Sequence, residues 1–283
     1  MTRLKTSDIC NISSGLTVYN DRLQACTGRS LLGIASHAWG VDETELIRQI
    51  KCFSIHVVPV TAGLGIITDF SETVCAILRF LGFNAIVTDQ SDISGIASAL
   101  EKKADAIMTA DDNRFFGVNM HNRKVADNSE ATGRVFAAAL DLMTGGIKDH
   151  DVLIMGCGSV GEAAAEKFLN LGACVALYDI YPEAALSLSK KLSKNLKNSG
   201  IQVEKNLSSA LSRIANILEA TPSKNTIPDE LISNHLRISA PGVPIGVSDA
   251  GCEMLNRRLV HDTLELGVAA MAVNLVLNQN QGA

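Results

Sequence analysis

Three glycines between residues 156 and 161 have the spacing that allows a backbone turn to contact a phosphate. The segment Gly156-Cys-Gly-Ser-Val-Gly161 matches Gly-x-Gly-x-x-Gly, follows the apolar run 152–155 and precedes a predicted helix from Glu162. In that setting the first glycine permits the tight turn, the second lets the backbone approach a diphosphate, and the third lets the helix pack on the sheet. The pattern therefore predicts a dinucleotide-binding loop at a helix N-terminus, formed by Gly156, Cys157, Gly158, Ser159 and Val160.

An acidic residue follows the next predicted strand. Asp179 ends the run 174–178, close to the ~20 residues beyond Gly156 at which such folds place the acid that binds the adenosine ribose. No arginine follows it closely and the next basic residue is Lys190, so the pattern favours NAD over NADP. A glycine turn without any ligand is the alternative. Cys157 is either a small spacer or a reactive thiol at the helix N-terminus.

Later strand ends of the same predicted sheet carry the other candidate cofactor contacts. Ligands of open α/β sheets bind at the carboxyl ends of the strands. Thr221 and Pro222 follow one strand, Pro241 and Gly242 follow the next, and Asp262 ends the last. These residues are candidates to line the nicotinamide half of a dinucleotide, whereas ordinary turn chemistry is the alternative for the prolines and the glycine.

Two adjacent acids, Asp111 and Asp112, follow a strand nearer the N-terminus. Adjacent side chains of an extended segment point in opposite directions, so we expect only one of them to face a ligand. A carboxylate at this position suits an ammonium group on a substrate. A turn or capping role before Arg114 is the alternative.

The loop Val60-Thr-Ala-Gly-Leu-Gly65 lies between a strand and a helix in the sequence pattern. Its amides would suit a carboxylate at a helix N-terminus, with the Thr61 hydroxyl as a further donor. A tight turn without a ligand is equally compatible with these residues.

Composition excludes several classes of protein. The net charge of −5 argues against a nucleic-acid binder, and 47% hydrophobic with 19% charged residues excludes disorder. The most apolar stretch, 264–277, is too short and too polar to span a membrane, and no secretory signal opens the chain. The seven cysteines are scattered without a Cys-x-x-Cys pair, which argues against a disulfide framework and indicates a reducing cytoplasmic compartment. No two of the six histidines have the spacing of metal ligands, so we expect no metal site.

The periodicity of the chain predicts three parts. Residues 1–53 form an N-terminal helical segment, 54–146 a middle α/β substrate-binding domain, and 147–283 a C-terminal Rossmann domain with a doubly wound parallel sheet. The predicted elements of the middle part are strands at 55–60, 84–88 and 105–109, helices at 66–81, 93–103 and 132–143, and a long loop before the last helix. In the C-terminal part we expect strands at 151–155, 174–179, 201–204, 215–219, 236–240 and 258–261, and a final helix at 265–278.

Several motifs together resemble the pyrrolysine synthase (PylD) family over nearly the whole chain. They are Val58-Pro-Val-Thr-Ala-Gly-Leu-Gly-Ile-Ile67, Thr88-Asp-Gln-Ser-Asp-Ile-Ser-Gly95, Ala110-Asp-Asp-Asn113, Thr132-Gly-Arg134, the Gly156 loop, Glu219-Ala-Thr-Pro222 and Pro241-Gly-Val-Pro244. Near the C-terminus the chain departs from the family pattern, with Asp262 in place of a glutamate and Glu265-Leu-Gly267 in place of a more glycine-rich segment.

The resemblance implies an NAD-dependent enzyme that oxidises L-lysine-Nε-3-methyl-D-ornithine. The terminal amine leaves as ammonia and ring closure gives the pyrroline ring of L-pyrrolysine. The resemblance implies substrate contacts at Leu4, Val60, Thr61, Ala110 and Asp111, and cofactor contacts at the Gly156 loop, Asp179, Thr221 and Pro241. The alternatives are another NAD(P)-dependent amino-acid dehydrogenase and a non-catalytic NAD-binding sensor. The sequence leaves the oligomeric state and any general base open.

Overall fold

The structure is a computed structural model that describes residues 4–195 and 201–277. The helices are α1 Thr6–Ile9, α2 Ile12–Thr27, α3 Leu31–Trp39, α4 Glu43–Ile50, α5 Phe70–Phe80, α6 Asp92–Glu101, α7 Asn128–Thr144, α8 Ser159–Asn170, α9 Pro182–Asn195, α10 Leu207–Arg213, α11 Asp249–Leu255 and α12 Glu265–Leu277. The strands are β1 Ser54–Val58, β2 Asn84–Val87, β3 Ala106–Ala110, β4 Phe115–Asn119, β5 Val125–Asp127, β6 Asp151–Met155, β7 Cys174–Tyr178, β8 Ile201–Val203, β9 Asn216–Glu219, β10 Arg237–Ala240 and β11 Leu259–His261.

The chain divides into two compact units. In the described residues, unit 1 comprises 4–21, 30–131 and 264–277, and unit 2 comprises 22–29, 132–195 and 201–263. The predicted three-part division follows the chain in order, whereas unit 1 groups the N-terminal helices, the middle α/β segment and the final helix. Helix α12 belongs to unit 1 because it packs on α3, α5 and β4.

Unit 2 contains a six-stranded sheet in the order β11-β10-β9-β6-β7-β8, and all its recorded pairings are parallel. The strands agree with the sequence-based prediction to within one residue at each end. Buried Leu, Ile and Met residues of β6, β9 and β10 pack together with residues from α10 and the later loops as one core. The strand order reverses between β6 and β9, which is the position where open α/β sheets bind their ligands.

Unit 1 contains a five-stranded sheet in the order β2-β1-β3-β4-β5. The first three strands pair in parallel, as the alternation of strands and helices predicts. The prediction of a long loop after β3 is wrong, because β4 and β5 form an antiparallel hairpin that extends the sheet. The residues of β4 alternate between buried and half-buried, which is typical of such a strand.

The predicted helix at 66–81 begins later, at Phe70. Its N-cap, Asp69, has a left-handed backbone with φ 64°, and residues 61–69 form a loop rather than a first helical turn. The loop of Thr61 is therefore separated from the N-terminus of α5 by several residues.

Helix α12 is apolar except for Glu265 and Asn274, and nearly all of it is buried. Its described residues are buried apart from Asn274 and Leu277, which is typical of a central core helix. Within the described part of the chain, no helix is long and apolar enough to cross a membrane.

Asn119 joins this helix to the hairpin and is fully buried. Its Nδ2 donates to the carbonyl of Leu275 at 2.9 Å, and its Oδ1 accepts from the backbone N–H of His121 at 2.9 Å and of Asn122 at 3.2 Å. A Cβ at Gly117 would lie 2.7 Å from a methyl carbon of Leu275, so α12 lies directly on β4. One amide side chain thus satisfies backbone hydrogen-bonding groups of both the hairpin turn and the last turn of the helix.

We expect Asn119→Ala to lower the free energy of unfolding by about 2 kcal/mol, because buried donors and an acceptor lose their partner. Urea denaturation of the whole protein measures this effect. Asn84→Ala is the matched control, since Asn84 is an exposed residue of β2. Equal midpoints for the two variants would contradict the role assigned to Asn119.

Candidate functional site

The loop between β6 and α8 is tightly packed, both within itself and against the loop after β9. A Cβ at Gly161 would lie 2.0 Å from the carbonyl oxygen of Gly156, and a Cβ at Gly156 would lie 2.8 Å from the carbonyl oxygen of Ala220. Gly156 also has φ 95°, which favours glycine. At Gly158, by contrast, a Cβ would meet nothing within 4 Å, so the second glycine faces open space.

The N-terminus of α8 presents amide groups to that open space. Gly158 is the N-cap and no side chain caps the helix there. The first intrahelical bond is donated by the N–H of Glu162 to the carbonyl of Gly158, so the preceding amides have no acceptor within the helix. Gly158 and Ser159 are exposed. These residues fit a diphosphate, which needs both donors and room for its oxygens.

The carboxylate of Asp179 is held beside this loop. Its Oδ2 accepts from the backbone N–H of Cys157 at 2.8 Å, and its Oδ1 accepts from that of Tyr181 at 2.9 Å. The N–H of Gly156 donates to the carbonyl of Tyr178 at 2.9 Å. The acid predicted to bind a ribose is therefore oriented by the glycine loop itself.

Cys157 is positioned as a spacer and not as a reactive thiol. Burial, followed by the charge of Asp179, raises the pKa of Cys157 to about 12, so the thiol stays protonated near pH 7. Its backbone N–H already donates to Asp179, which leaves the amides of the following residues for an anion.

The remaining predicted cofactor residues lie at the same edge of the unit 2 sheet. Thr221 and Pro222 follow β9, Pro241 follows β10, and the buried Asp262 follows β11. Because these strands are parallel, their carboxyl ends lie at one edge, together with the Gly156 loop after β6.

Sequence reasoning missed Glu219 as a member of this edge. It is the last residue of β9 and is fully buried, with its carboxylate bonded to Thr221, Thr226 and Gly246. An acidic residue at the end of a predicted buried strand was the signal that could have identified it. Its partners lie on the loops after β9 and β10, and the sequence does not show that these loops meet at one side chain.

In unit 1, two strand ends bring the predicted substrate residues to one edge. Val58 of β1 pairs with Thr109 of β3 in parallel, so Val60 and Thr61 leave the sheet beside Ala110 and Asp111. The half-buried Leu4 lies just before α1 of the same unit.

Donors of the 60–65 loop that were candidates for a substrate carboxylate are already used within the chain. The backbone N–H and the hydroxyl of Thr61 both donate to the carboxylate of Asp92, at 2.8 Å and 2.6 Å, and the N–H of Leu64 donates to Asp112 at 2.7 Å. The two hydrogen bonds from Thr61, that of its hydroxyl first, lower the pKa of Asp92. Donors predicted for a substrate carboxylate are thus bound to carboxylates of the chain, and the Thr61 oxygen is left as an acceptor.

Asp111 and Asp112 have different hydrogen-bond partners, and they lie in the turn between β3 and β4 rather than in an extended segment. Oδ1 of Asp111 accepts from the backbone N–H of Asn113 at 2.8 Å and of Arg114 at 2.7 Å. These bonds form the turn before Arg114 that the sequence analysis gives as the alternative to substrate binding. Hydrogen bonds from backbone N–H groups, that of Asn113 first, lower the pKa of Asp111. The side chain is exposed and ionised, so this turn does not prevent it from binding an ammonium group.

Two family models match the chain. The one described as "Pyrrolysine biosynthesis protein PylD, N-terminal domain" matches residues 8–126, and "Alanine dehydrogenase/PNT, C-terminal domain" matches residues 126–239. The first covers most of unit 1, and the second covers the strands β6 to β9 and the Gly156 loop.

Curated relatives match from end to end. A protein named pyrrolysine synthase from Methanosarcina acetivorans is 32% identical over 277 residues, which is 98% of this chain and 100% of the relative. One of the same name from Methanosarcina barkeri is 31% identical over 278 residues, 98% of each chain.

Among solved structures, quinate dehydrogenase from Corynebacterium glutamicum in complex with NAD resembles this chain with a TM-score of 0.56 at 12% identity. The match covers 80% of this chain and 94% of that one. This likeness concerns the fold alone, and it confirms the predicted α/β class with a Rossmann sheet.

Gly161→Ala tests the close approach on which the loop depends. We expect the free energy of unfolding to fall by about 1–3 kcal/mol, because the added methyl carbon meets a backbone oxygen and not a movable side chain. Thermal unfolding measures the change.

Gly15→Ala in α2 is the control, since a Cβ there meets nothing within 4 Å. It should keep or slightly raise stability. A Gly161→Ala protein as stable as this control would show that the contact is relaxed in solution.

Proposed function

The chain belongs to the pyrrolysine synthase family, and from that premise we propose that it converts L-lysine-Nε-3-methyl-D-ornithine to L-pyrrolysine with NAD. The family, with its dehydrogenase-type C-terminal domain, already identifies the chain as an NAD(P)-dependent enzyme. The substrate, the reaction and the choice of NAD are the parts proposed. The terminal carbon–nitrogen bond is oxidised to an imine, the α-amine adds to it, and ammonia leaves as the pyrroline ring closes.

The cofactor assignment rests on one observation, the glycine-rich turn 156–161 beside Asp179. Open space at Gly158, amides at the start of α8 and an acid held at the end of β7 are the three features that a dinucleotide requires. Bound NAD supplies the acceptor for the hydride that leaves the substrate carbon. Asp179 supports NAD over NADP, because its carboxylate would accept from ribose hydroxyls and repel a 2′-phosphate.

The acids at the edge of the unit 1 sheet support an amine substrate. Asp111 is ionised and exposed, so we assign it to the ammonium of the lysine end as a charge-assisted pair. The Thr61 hydroxyl proton points to Asp92, so its oxygen offers lone pairs to an N–H donor of the substrate. The acceptors of this edge therefore match the positive and N–H-bearing groups of the isopeptide.

Oxidation needs a neutral amine, because an ammonium nitrogen has no lone pair with which to form the imine. An unperturbed lysine-like amine has a pKa of about 10.4, and desolvation lowers it. We therefore propose that the chain obtains the neutral amine by excluding water from the reacting group and not by a dedicated base.

Mass spectrometry of the purified protein with NAD and the lysine–methylornithine isopeptide tests the reaction. We expect a product that has lost one ammonia and two hydrogens, and no comparable turnover when NADP replaces NAD. Reduction of NAD only with other amino acids would favour the alternative dehydrogenase. Saturable NAD binding without turnover of any amine would favour a sensor.

Asp111→Asn separates charge from structure at the substrate edge. The amide oxygen can still accept from Asn113 and Arg114, so the turn is kept while the negative charge is lost. We expect the KM for the isopeptide to rise at least about tenfold with the KM for NAD unchanged, as for a lost charge-assisted bond. Steady-state kinetics measure both constants.

Asp89→Asn is the control for this variant, since Asp89 is exposed and pairs with Lys102 at 3.7 Å on the surface. An unchanged isopeptide KM in Asp111→Asn would remove Asp111 from the substrate site.

A further inference from the structure

Glu219 is a carboxyl group enclosed at the cofactor edge of unit 2. It ends β9 and has 0% of its surface exposed. Burial raises the pKa of Glu219, and hydrogen bonds from Thr221, Gly246 and Thr226 oppose that shift. Burying such a group costs stability unless its oxygens are satisfied. The fold must therefore gain something from these contacts that an apolar residue would not supply.

The carboxylate accepts hydrogen bonds from three separate points of the chain. Oε1 accepts from the backbone N–H of Thr221 at 3.0 Å, from the hydroxyl of Thr221, and from the hydroxyl of Thr226 at 3.4 Å. Oε2 accepts from the backbone N–H of Gly246 at 3.2 Å. The loops after β9 and β10 are thus bonded to opposite oxygens of one side chain.

Two glycines show how closely the loop after β10 lies on this carboxylate. A Cβ at Gly246 would lie 2.6 Å from Cδ of Glu219, and a Cβ at Gly242 would lie 2.8 Å from its Oε2 and 2.3 Å from the carbonyl oxygen of Thr221. The N–H of Gly242 also donates to the carbonyl of Glu219 at 3.2 Å. The position of Pro241, which directly precedes Gly242, is fixed through these contacts.

We propose that Glu219 is a positioning residue that sets the loops of Thr221 and Pro241 for the nicotinamide half of the dinucleotide. The inference rests on the proposed cofactor function and adds a residue to it. Thr221 and Pro241 are the predicted contacts, and Glu219 acts through them without touching the cofactor. Within the described residues, the Gly156 loop and Asp179, which are assigned to the adenosine diphosphate half, donate no hydrogen bond to this carboxylate. The N–H of Cys157 donates to Asp179, and that of Gly156 donates to the carbonyl of Tyr178.

Glutamine cannot replace this carboxylate. Donors approach both oxygens of Glu219, whereas an amide has one acceptor oxygen and an NH₂ group that donates. In Glu219→Gln, either the N–H of Gly246 or the two donors of Thr221 must face an NH₂ group. The variant keeps the size of the side chain, and its direct effect is on the loops after β9 and β10. Because Gly156 lies against the carbonyl of Ala220 in the first of these loops, ADP-ribose binding shows whether the disturbance reaches the Gly156 loop.

Calorimetric titration of the full-length protein with NAD and with ADP-ribose tests the proposal. ADP-ribose retains the half assigned to the Gly156 loop and lacks the nicotinamide. We expect Glu219→Gln to weaken NAD binding about tenfold and to leave ADP-ribose binding within twofold of wild type. A merely structural residue would weaken both ligands alike.

Glu230→Gln is the matched control, because Glu230 is an exposed acid of the same unit. Thr226→Val removes a hydroxyl whose single proton is shared between Oε1 of Glu219 at 3.4 Å and the carbonyl of Gly246 at 3.3 Å. Thr226 is outside the predicted contacts, and the variant should weaken NAD binding two- to fivefold in the same selective way. This second variant decides the matter if Glu219→Gln does not fold.

Equal losses for both ligands, or no loss in a folded variant, would overturn the positioning role. If wild type binds NAD but forms no product, the proposed reaction fails and the role of Glu219 stands. If wild type binds neither ligand, the cofactor assignment fails and the role of Glu219 fails with it.

Discussion

The contact between Gly161 and the carbonyl of Gly156 is the constraint on which the cofactor edge depends. A side chain at residue 161 would overlap that oxygen at 2.0 Å, so only glycine allows α8 to start this close to the end of β6. The close start directs the first amides of the helix to the open space at Gly158. It also places the N–H of Cys157 where Asp179 can accept it, 22 residues later in the chain.

Carboxylates order the loops at the carboxyl ends of both sheets. In unit 2, Asp179 and Glu219 accept hydrogen bonds from backbone amides. In unit 1, Asp92, Asp111 and Asp112 do the same. Loop amides lack the partners that helices and sheets provide, and these acids supply them. The same contacts leave the edge of the unit 1 sheet rich in acceptors, which agrees with a substrate that carries amines.

The sequence predicted what depends on local pattern. The Gly156 loop and the strands of unit 2 follow from glycine spacing and short apolar runs, because these features form within a few residues of each other. Hairpin β4–β5 was missed because the charged residues Arg114, Arg123 and Lys124 flank its short strands. Thr61, the partner of Asp92, lies 31 residues away, and Gly246, the partner of Glu219 on the loop after β10, lies 27 residues away, so no spacing rule connects these pairs. The use of the Thr61 donors within the chain was missed for the same reason, since Asp92 accepts them.

The structure of the protein crystallised with NAD tests the central claim most directly. The account predicts diphosphate oxygens within hydrogen-bonding distance of the amides at 158–160, with the adenosine ribose hydroxyls on Asp179. A dinucleotide bound elsewhere, or no bound dinucleotide at saturating concentration, would contradict it.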